Sequence, residues 1–187
     1  MKRLLDIILS FIAIIIFTVP MVIVSIVIKV TSKGPILFKQ QRVGKNGIYF
    51  EIYKFRSMYT ETPNVSTEAL GDPTSYITPV GKFIRKTSID ELPQLFNIIK
   101  GDMSMVGPRP ALYNQYELIE MRNSVNVNSV RPGLTGYAQV MGRDFISDKE
   151  KVDYDKYYVD NKSIVLDIKI IWMTVFSVLK TDGVKMK

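Results

Sequence analysis

Asp90 and Glu91 are adjacent carboxylates at the start of a segment that reads as a helix, and around them the chain places arginines on short stiff loops. Pro108-Arg109-Pro110, Arg131-Pro132-Gly133 and Gly142-Arg143 each set a guanidinium on a proline- or glycine-shaped backbone, and Arg56 and Arg85 add two more. A planar guanidinium suits bidentate contact with phosphate, and a fixed loop lowers the entropy lost in holding it there. Two carboxylates are too few for an all-protein cation cage. They do suit Mg²⁺, which takes one or two carboxylates and fills its remaining positions with phosphate and water. The chemistry that these residues could support is therefore phosphoryl or diphosphate handling. The chain has no Cys and no His, which excludes disulfides, thiol nucleophiles, imidazole bases and the usual zinc ligand sets.

The same dyad has a purely structural reading. Ser88 followed three residues later by Glu91 is a capping-box pattern, and Asp near a helix start is favoured by the helix dipole. Pro93 sits too deep if Ser88 is the cap and falls within the first turn if Asp90 is. Both cap assignments stay open. A helix start at residues 88 to 93 also offers backbone N–H donors to an anion, so the structural and chemical readings are compatible.

Charge places this chemistry at a membrane. The net charge is +7 over 187 residues, and residues 1 to 56 carry all of it, with nine Lys or Arg against Asp6 and Glu51. These cations bracket an apolar run from Ile7 to Ile28, whereas a nucleic-acid binder spreads its basic residues along a face with aromatics interleaved. We read them as facing anionic lipid head groups and exclude nucleic acid as a partner. The run contains 22 residues without a charge, enough for one helix to cross a hydrocarbon layer. Pro20 lies inside it and predicts a kink or break, and basic residues at both ends (Lys2, Arg3, Lys29, Lys33) place both ends on one side. A re-entrant hairpin over residues 1–33 satisfies both observations; a simple span with a proline kink is the competing reading. The run is longer than the apolar core of a signal peptide and no small-residue cleavage pattern follows it.

Residues 34–187 then form one catalytic unit. Ile36-Leu37-Phe38 and Ile48 to Tyr53 flank a turn from Gly44 to Gly47 and predict a β-hairpin. Residues 60 to 80 read as a surface loop, Lys82 to Lys86 as helix, and Ser88 to about Lys100 as another. Ser163 to Lys180 is apolar but is interrupted by Asp167 and Lys169. It is too short to span, and with Trp172 it suits either a helix at the membrane interface or a core helix. The expected fold class is α/β, mostly helical with a small hairpin or sheet.

Four motifs carry a resemblance: KFRSM at 54–58, TSIDELPQLFNIIKGDMSMVGPRP at 87–110, RPGLTGYAQVMGR at 131–143 and DKYYVDN at 155–161. They resemble the bacterial sugar transferases, monotopic phosphoglycosyl transferases, over nearly the whole chain. The resemblance implies an N-terminal re-entrant helix-break-helix, a compact catalytic domain at the cytoplasmic face of the bacterial inner membrane, and Mg²⁺ dependence. It implies that Asp90 attacks the β-phosphate of a UDP-sugar and expels UMP, and that polyprenyl (undecaprenyl) phosphate then attacks the aspartyl-phosphosugar. This would be the first membrane step of glycoconjugate assembly, feeding downstream glycosyltransferases. Glu91 would assist as metal ligand or proton acceptor, with Asp90 and Glu91 as the metal-binding pair. Arg109 would contact the nucleotide, Arg56, Arg85, Arg131 and Arg143 are candidates for phosphate, and Asp155 is a further site candidate. By analogy with small family members the sugar is expected to be an N-acetylated amino or deoxyamino sugar; the oligomeric state stays open, with a homodimer one of the options. One departure concerns the membrane segment. Relatives carry Ser directly before the membrane proline, whereas here Thr18-Val19-Pro20 displaces the hydroxyl by one residue, leaving Thr18 to bond back to the preceding turn. The alternatives from other classes are a non-catalytic membrane-anchored scaffold of a polysaccharide-assembly complex and a polybasic binding module.

Overall fold

The computed structural model describes residues 1–63, 65, 70–142 and 145–180. Helix α1 (Lys2–Thr31) leads into a hairpin of β1 (Leu37–Val43) and β2 (Tyr49–Phe55). Helices α2 (Pro79–Lys86) and α3 (Gln94–Lys100) follow, then β3 (Ser104–Val106), α4 (Tyr116–Ser124), β4 (Gly133–Thr135), α5 (Tyr137–Met141), α6 (Asp148–Asn161) and α7 (Ile164–Lys180). The described residues are mostly helical with two small two-stranded sheets, as expected for the fold class.

The hairpin forms as its alternation predicts, antiparallel with Leu37 opposite Phe55 and Val43 opposite Tyr49. Its turn depends on Asn46 and Gly47, at φ 56° and 76°, in the left-handed region that Asn and Gly tolerate best. The second sheet, a parallel pair with Ser104 opposite Gly133 and Val106 opposite Thr135, was not foreseen. Three-residue strands carry too little periodicity to be read.

Helix α1 differs from the expected break. It is one continuous helix of 30 residues, roughly 45 Å long, with Pro20 inside it. The Thr18 hydroxyl donates to the Ile14 carbonyl at 2.6 Å. The carbonyl left without its helical donor by Pro20 belongs to Ile16, four residues back, so Thr18 does not compensate the proline. Continuity is supported instead by packing along one stripe. Ala13 and Ile14 pack against Ile52, Leu95, Ile98 and Met103, and Met21, Val24 and Ile28 against Phe55 and Ile84.

Polar contacts pin both ends of α1 to the same body. Near its start, Asp6 is buried and accepts from Ser104 Oγ at 2.9 Å and from the Met105 N–H at 3.0 Å; Lys2 pairs with Asp167 at 2.6 Å. Past its end, Arg56 donates to the Ser32 carbonyl at 2.9 Å and hydroxyl at 2.6 Å. The opposite face, including Leu4, Ile8, Phe11, Ile15, Val22 and Ile26, is apolar and exposed. It is the one described helix long and apolar enough to cross a membrane, and only 11% of its most apolar stretch is buried.

Helix α7 packs one face on the core and leaves an apolar face exposed. Ile170 is buried against Val106 and Tyr158, while Val165, Ile168, Trp172 and Phe176 are exposed.

Helix α2 starts on Thr78, whose hydroxyl accepts from the Gly81 N–H at 2.9 Å. Gly81 lies directly on the Ser57 backbone, and a Cβ there would stand 1.8 Å from the Ser57 carbonyl oxygen. We expect Gly81→Ala to destabilise the protein by about 1–3 kcal/mol through forced separation of α2 from this strand-end loop. Lys82→Ala, on the exposed side of the same helix, should stay within about 0.5 kcal/mol. Thermal unfolding of the two variants in detergent, which should separate them clearly, checks this.

Candidate active site

The dyad does not sit on the long helix that the sequence suggests. Ser88 takes a left-handed conformation (φ 56°), Ile89–Glu91 form a single 3₁₀ turn, and α3 begins only at Gln94. Neither Ser88 nor Asp90 caps a helix through its side chain, so the capping-box reading fails here. A capping box does form at Ser147 and Glu150, opening α6. A non-glycine residue in the left-handed region costs roughly 1–2 kcal/mol, which the surrounding packing must offset. That packing comes from the membrane helix: Ile89 rests on the cluster of Val24, Ile28, Phe55 and Ile84.

Asp90 is 8% exposed. Burial pushes its carboxyl up to about 6; Lys54 opposes this, the adjacent Glu91 adds to it, and Arg85 and Arg109 oppose it more weakly. Glu91 behaves oppositely. Burial alone would raise it, but Arg109 and Lys54 hold it well below the usual carboxylate range. Both cations converge on one oxygen, with Lys54 Nζ at 2.7 Å and Arg109 Nη2 at 2.9 Å from Oε1. Burial in turn lowers Lys54, against the pull of Glu91. Burial and the Arg109 charge bring Arg42 down to about 9, still cationic at neutral pH. The result is one ionised, clamped carboxylate beside one whose ionisation is costly.

Of the residues singled out from sequence, the fold gathers Asp90, Glu91, Arg85 and Arg109. It places others elsewhere. Arg56 is buried beneath Gly34, where a Cβ would lie 2.3 Å from its Nη1, and it ties the loop after α1 rather than facing the dyad. Arg131 donates from Nε to the Gly101 carbonyl at 2.9 Å, bracing the turn that ends α3. Asp155 is buried and paired with Arg122 at 2.5 Å. Thr18 and Pro20 lie midway along α1, and Arg143 is outside the described residues. Sequence reasoning missed Lys54, Arg42 and Arg122 as members or supports of the site. Lys54 opens the KFRSM motif, which was the available signal. Arg42 and Arg122 lie in unremarkable stretches and had none.

Among the described residues no group of three or more carboxylates, His or Cys is positioned to hold a metal. Asp90 and Glu91 are the donors the site offers. Both cations take Glu91 Oε1, so the groups that could hold a divalent cation here are the second oxygen of Glu91 and the Asp90 carboxylate.

The raised Asp90 value has a consequence for stability. Its folded-state pKa lies above that of an unfolded Asp, so the folded protein loses stability as pH rises through about 6, and below about pH 4 neither form is charged. Asp90→Asn should therefore stabilise the metal-free protein at pH 8 by about 1–3 kcal/mol, with the gain vanishing near pH 4. Denaturant unfolding at the two pH values reads the difference directly.

Comparison with known proteins matches residues 1–181 to the family described as bacterial sugar transferase. The chain is 40% identical over 190 residues to a UDP-N-acetylgalactosamine-undecaprenyl-phosphate N-acetylgalactosaminephosphotransferase of Aeromonas hydrophila, covering 98% of this chain and 45% of that protein. It is 43% identical to an uncharacterized sugar transferase of Bacillus subtilis, covering 85% of this chain and 77% of that one. Against the undecaprenyl-phosphate galactose phosphotransferase of Salmonella typhimurium the identity is 42%, covering 98% of this chain and 41% of that protein. The chain thus spans less than half the length of two of these three relatives. With its dyad, proline-flanked arginine and apolar first helix all inside the matched region, the chain belongs to the bacterial sugar transferase family.

Proposed function

We propose that the chain transfers a sugar 1-phosphate from a UDP-sugar to polyprenyl phosphate through a covalent intermediate on Asp90. The observation that carries this reading is the division of labour in the dyad. Lys54, Arg42, Arg85 and Arg109 supply four positive charges around two carboxylates, a surplus of two that suits a diphosphate. Glu91 is clamped by two of these cations, so it makes a poor proton acceptor and serves as their anchor and as a metal ligand. Among the described residues Asp90 is held by no ion pair as short as those of Glu91, and its costly charge makes it the better nucleophile.

In the first step an Asp90 carboxylate oxygen bonds to the β-phosphorus, the bond from that phosphorus to the bridging oxygen breaks, and UMP leaves with that oxygen. In the second, an oxygen of polyprenyl phosphate bonds to the same phosphorus and the Asp90 carboxylate is released. Mg²⁺, when bound at Asp90 and Glu91, supplies charge neutralisation on the diphosphate. Arg109 and Arg85 face the phosphates from opposite sides of the sequence, one from a proline-locked loop and one from the last turn of α2. Names of relatives include N-acetylgalactosamine, galactose and glucose donors, and an N-acetylated amino sugar is the donor we place first.

The reading extends to the membrane: both ends of α1 are fastened to one catalytic body, which favours a chain that stays in the cytoplasmic leaflet, with the exposed apolar faces of α1 and α7 toward lipid.

Purified protein in detergent with Mg²⁺, polyprenyl phosphate and a panel of UDP-sugars should release UMP with at least one sugar. Asp90→Asn should lose turnover by at least about 10³-fold, and wild-type protein given labelled donor without acceptor should carry the phosphosugar on Asp90 by peptide mass spectrometry. Full turnover by Asp90→Asn would remove the covalent mechanism. For topology, cysteines placed at Met1 and Lys33 should both react with an impermeant reagent only from the cytoplasmic side, whereas opposite-side labelling would establish a span.

A further inference from the structure

Pro108-Arg109-Pro110 contains a single backbone N–H, because both prolines lack one. A segment with so few donors is held through its carbonyls, and here four consecutive carbonyls accept from three separate parts of the chain. The Pro108 oxygen accepts from the Gly133 N–H at 2.9 Å and the Ala111 oxygen from the Val43 N–H at 3.0 Å. Between them, the Arg109 oxygen accepts from Arg122 Nη1 at 2.8 Å and the Pro110 oxygen from Arg42 Nη1 at 3.0 Å. Two arginine side chains thus grip the backbone of the loop whose own arginine reaches Glu91.

The Arg122 grip is itself fixed from behind. Arg122 on α4 is 4% exposed and pairs at 2.5 Å with Asp155 on α6, which is 1% exposed. Taking both charges out of water costs several kcal/mol, and such a pair is often replaceable by apolar residues without loss of stability. Its cost is therefore better explained by placement than by stability. The Arg109 side chain remains 45% exposed while its backbone is immobilised.

We propose that Arg122, oriented by Asp155, is a positioning residue for Arg109 and thereby for the diphosphate of the nucleotide sugar. The proposal rests on the transferase reading for its ligand. Arg122 touches no reacting atom; it sets where Arg109 starts, and Asp155 keeps the Arg122 fork aimed at the loop carbonyl. Asp155, expected from sequence as a site residue, acts at two removes.

The test is a double-mutant cycle on UMP release, with Arg109→Ala, Arg122→Lys and the pair, alongside UDP binding by calorimetry and the thermal midpoint of each variant. Arg122→Lys should raise KM for the UDP-sugar and Kd for UDP about tenfold, leaving KM for polyprenyl phosphate within twofold. In the Arg109→Ala background the same substitution should change either constant less than twofold. Asp155→Asn, a second route to the same loosening, should reproduce this pattern if Arg122→Lys fails to fold. Equal losses with and without Arg109, or an equal rise in both KM values, would show a merely structural pair and overturn the proposal. If wild-type protein releases no UMP from any sugar, the transferase reading fails, and the UDP-binding cycle still decides the positioning role. Absence of UDP binding by wild-type protein would remove both.

Discussion

Two neighbouring carboxylates cannot both be buried and ionised unless positive charge is brought to them, and much of this fold serves that requirement. Glu91 is satisfied by Lys54 from the hairpin and Arg109 from the loop after β3, two elements far apart in sequence that meet on one oxygen. Asp90, next to it, gains less from Lys54, Arg85 and Arg109 than burial and the neighbouring Glu91 charge take away, so its charged form stays expensive. The hairpin, the 3₁₀ turn and the proline-locked loop must therefore be held in register to within an ångström or so, since charge-assisted hydrogen bonds are short and directional.

That register is maintained from two sides. From one side, Val24 and Ile28 of α1 form the floor under Phe55, Ile84 and Ile89, so the long apolar helix is part of the core that shapes the dyad's turn. Its other end is tied in by Asp6 at β3 and by Lys2 at α7. Perturbing the membrane segment is then expected to reach the site through packing. From the far side, Arg42 and Arg122 fix the carbonyls of the proline-locked loop, and the close parallel pair of β3 and β4 sets its origin. A Cβ at Gly133 would lie 2.1 Å from the Gly107 nitrogen, which is why glycine stands where the two strands approach.

The hairpin, the body of α2 and the apolar character of α1 were legible because their signals are local, whereas the start of α2 on Thr78 and Pro79 fell inside the expected surface loop. The break expected at Pro20 was not borne out by the fold, because a proline's missing donor is a local cost, whereas the stripe from Ala13 to Ile28 gains packing along the helix on both sides of it. The capping pattern at Ser88 misled for a related reason. Ser88 satisfies the spacing, yet packing of Ile89 draws the backbone into a left-handed turn that no cap geometry allows.

The sequence by itself determined which residue types were available for chemistry: adjacent carboxylates, arginines on stiff loops, no thiol and no imidazole, all next to a lipid-compatible helix. Those follow from composition and spacing, which do not depend on folding. Only the tertiary structure decided which cations serve the dyad and which serve the scaffold. Arg56 and Arg131 look as suitable as Arg109, but the first lies beneath Gly34 and the second braces the end of α3, while Arg42 and Arg122 emerge from stretches without special patterning. A guanidinium's role is set by the carbonyl or carboxylate it meets, and among the described residues that partner lies up to 100 residues away, as for Arg3 with the Met103 carbonyl. No local pattern encodes which of two equally charged side chains will be the buried one.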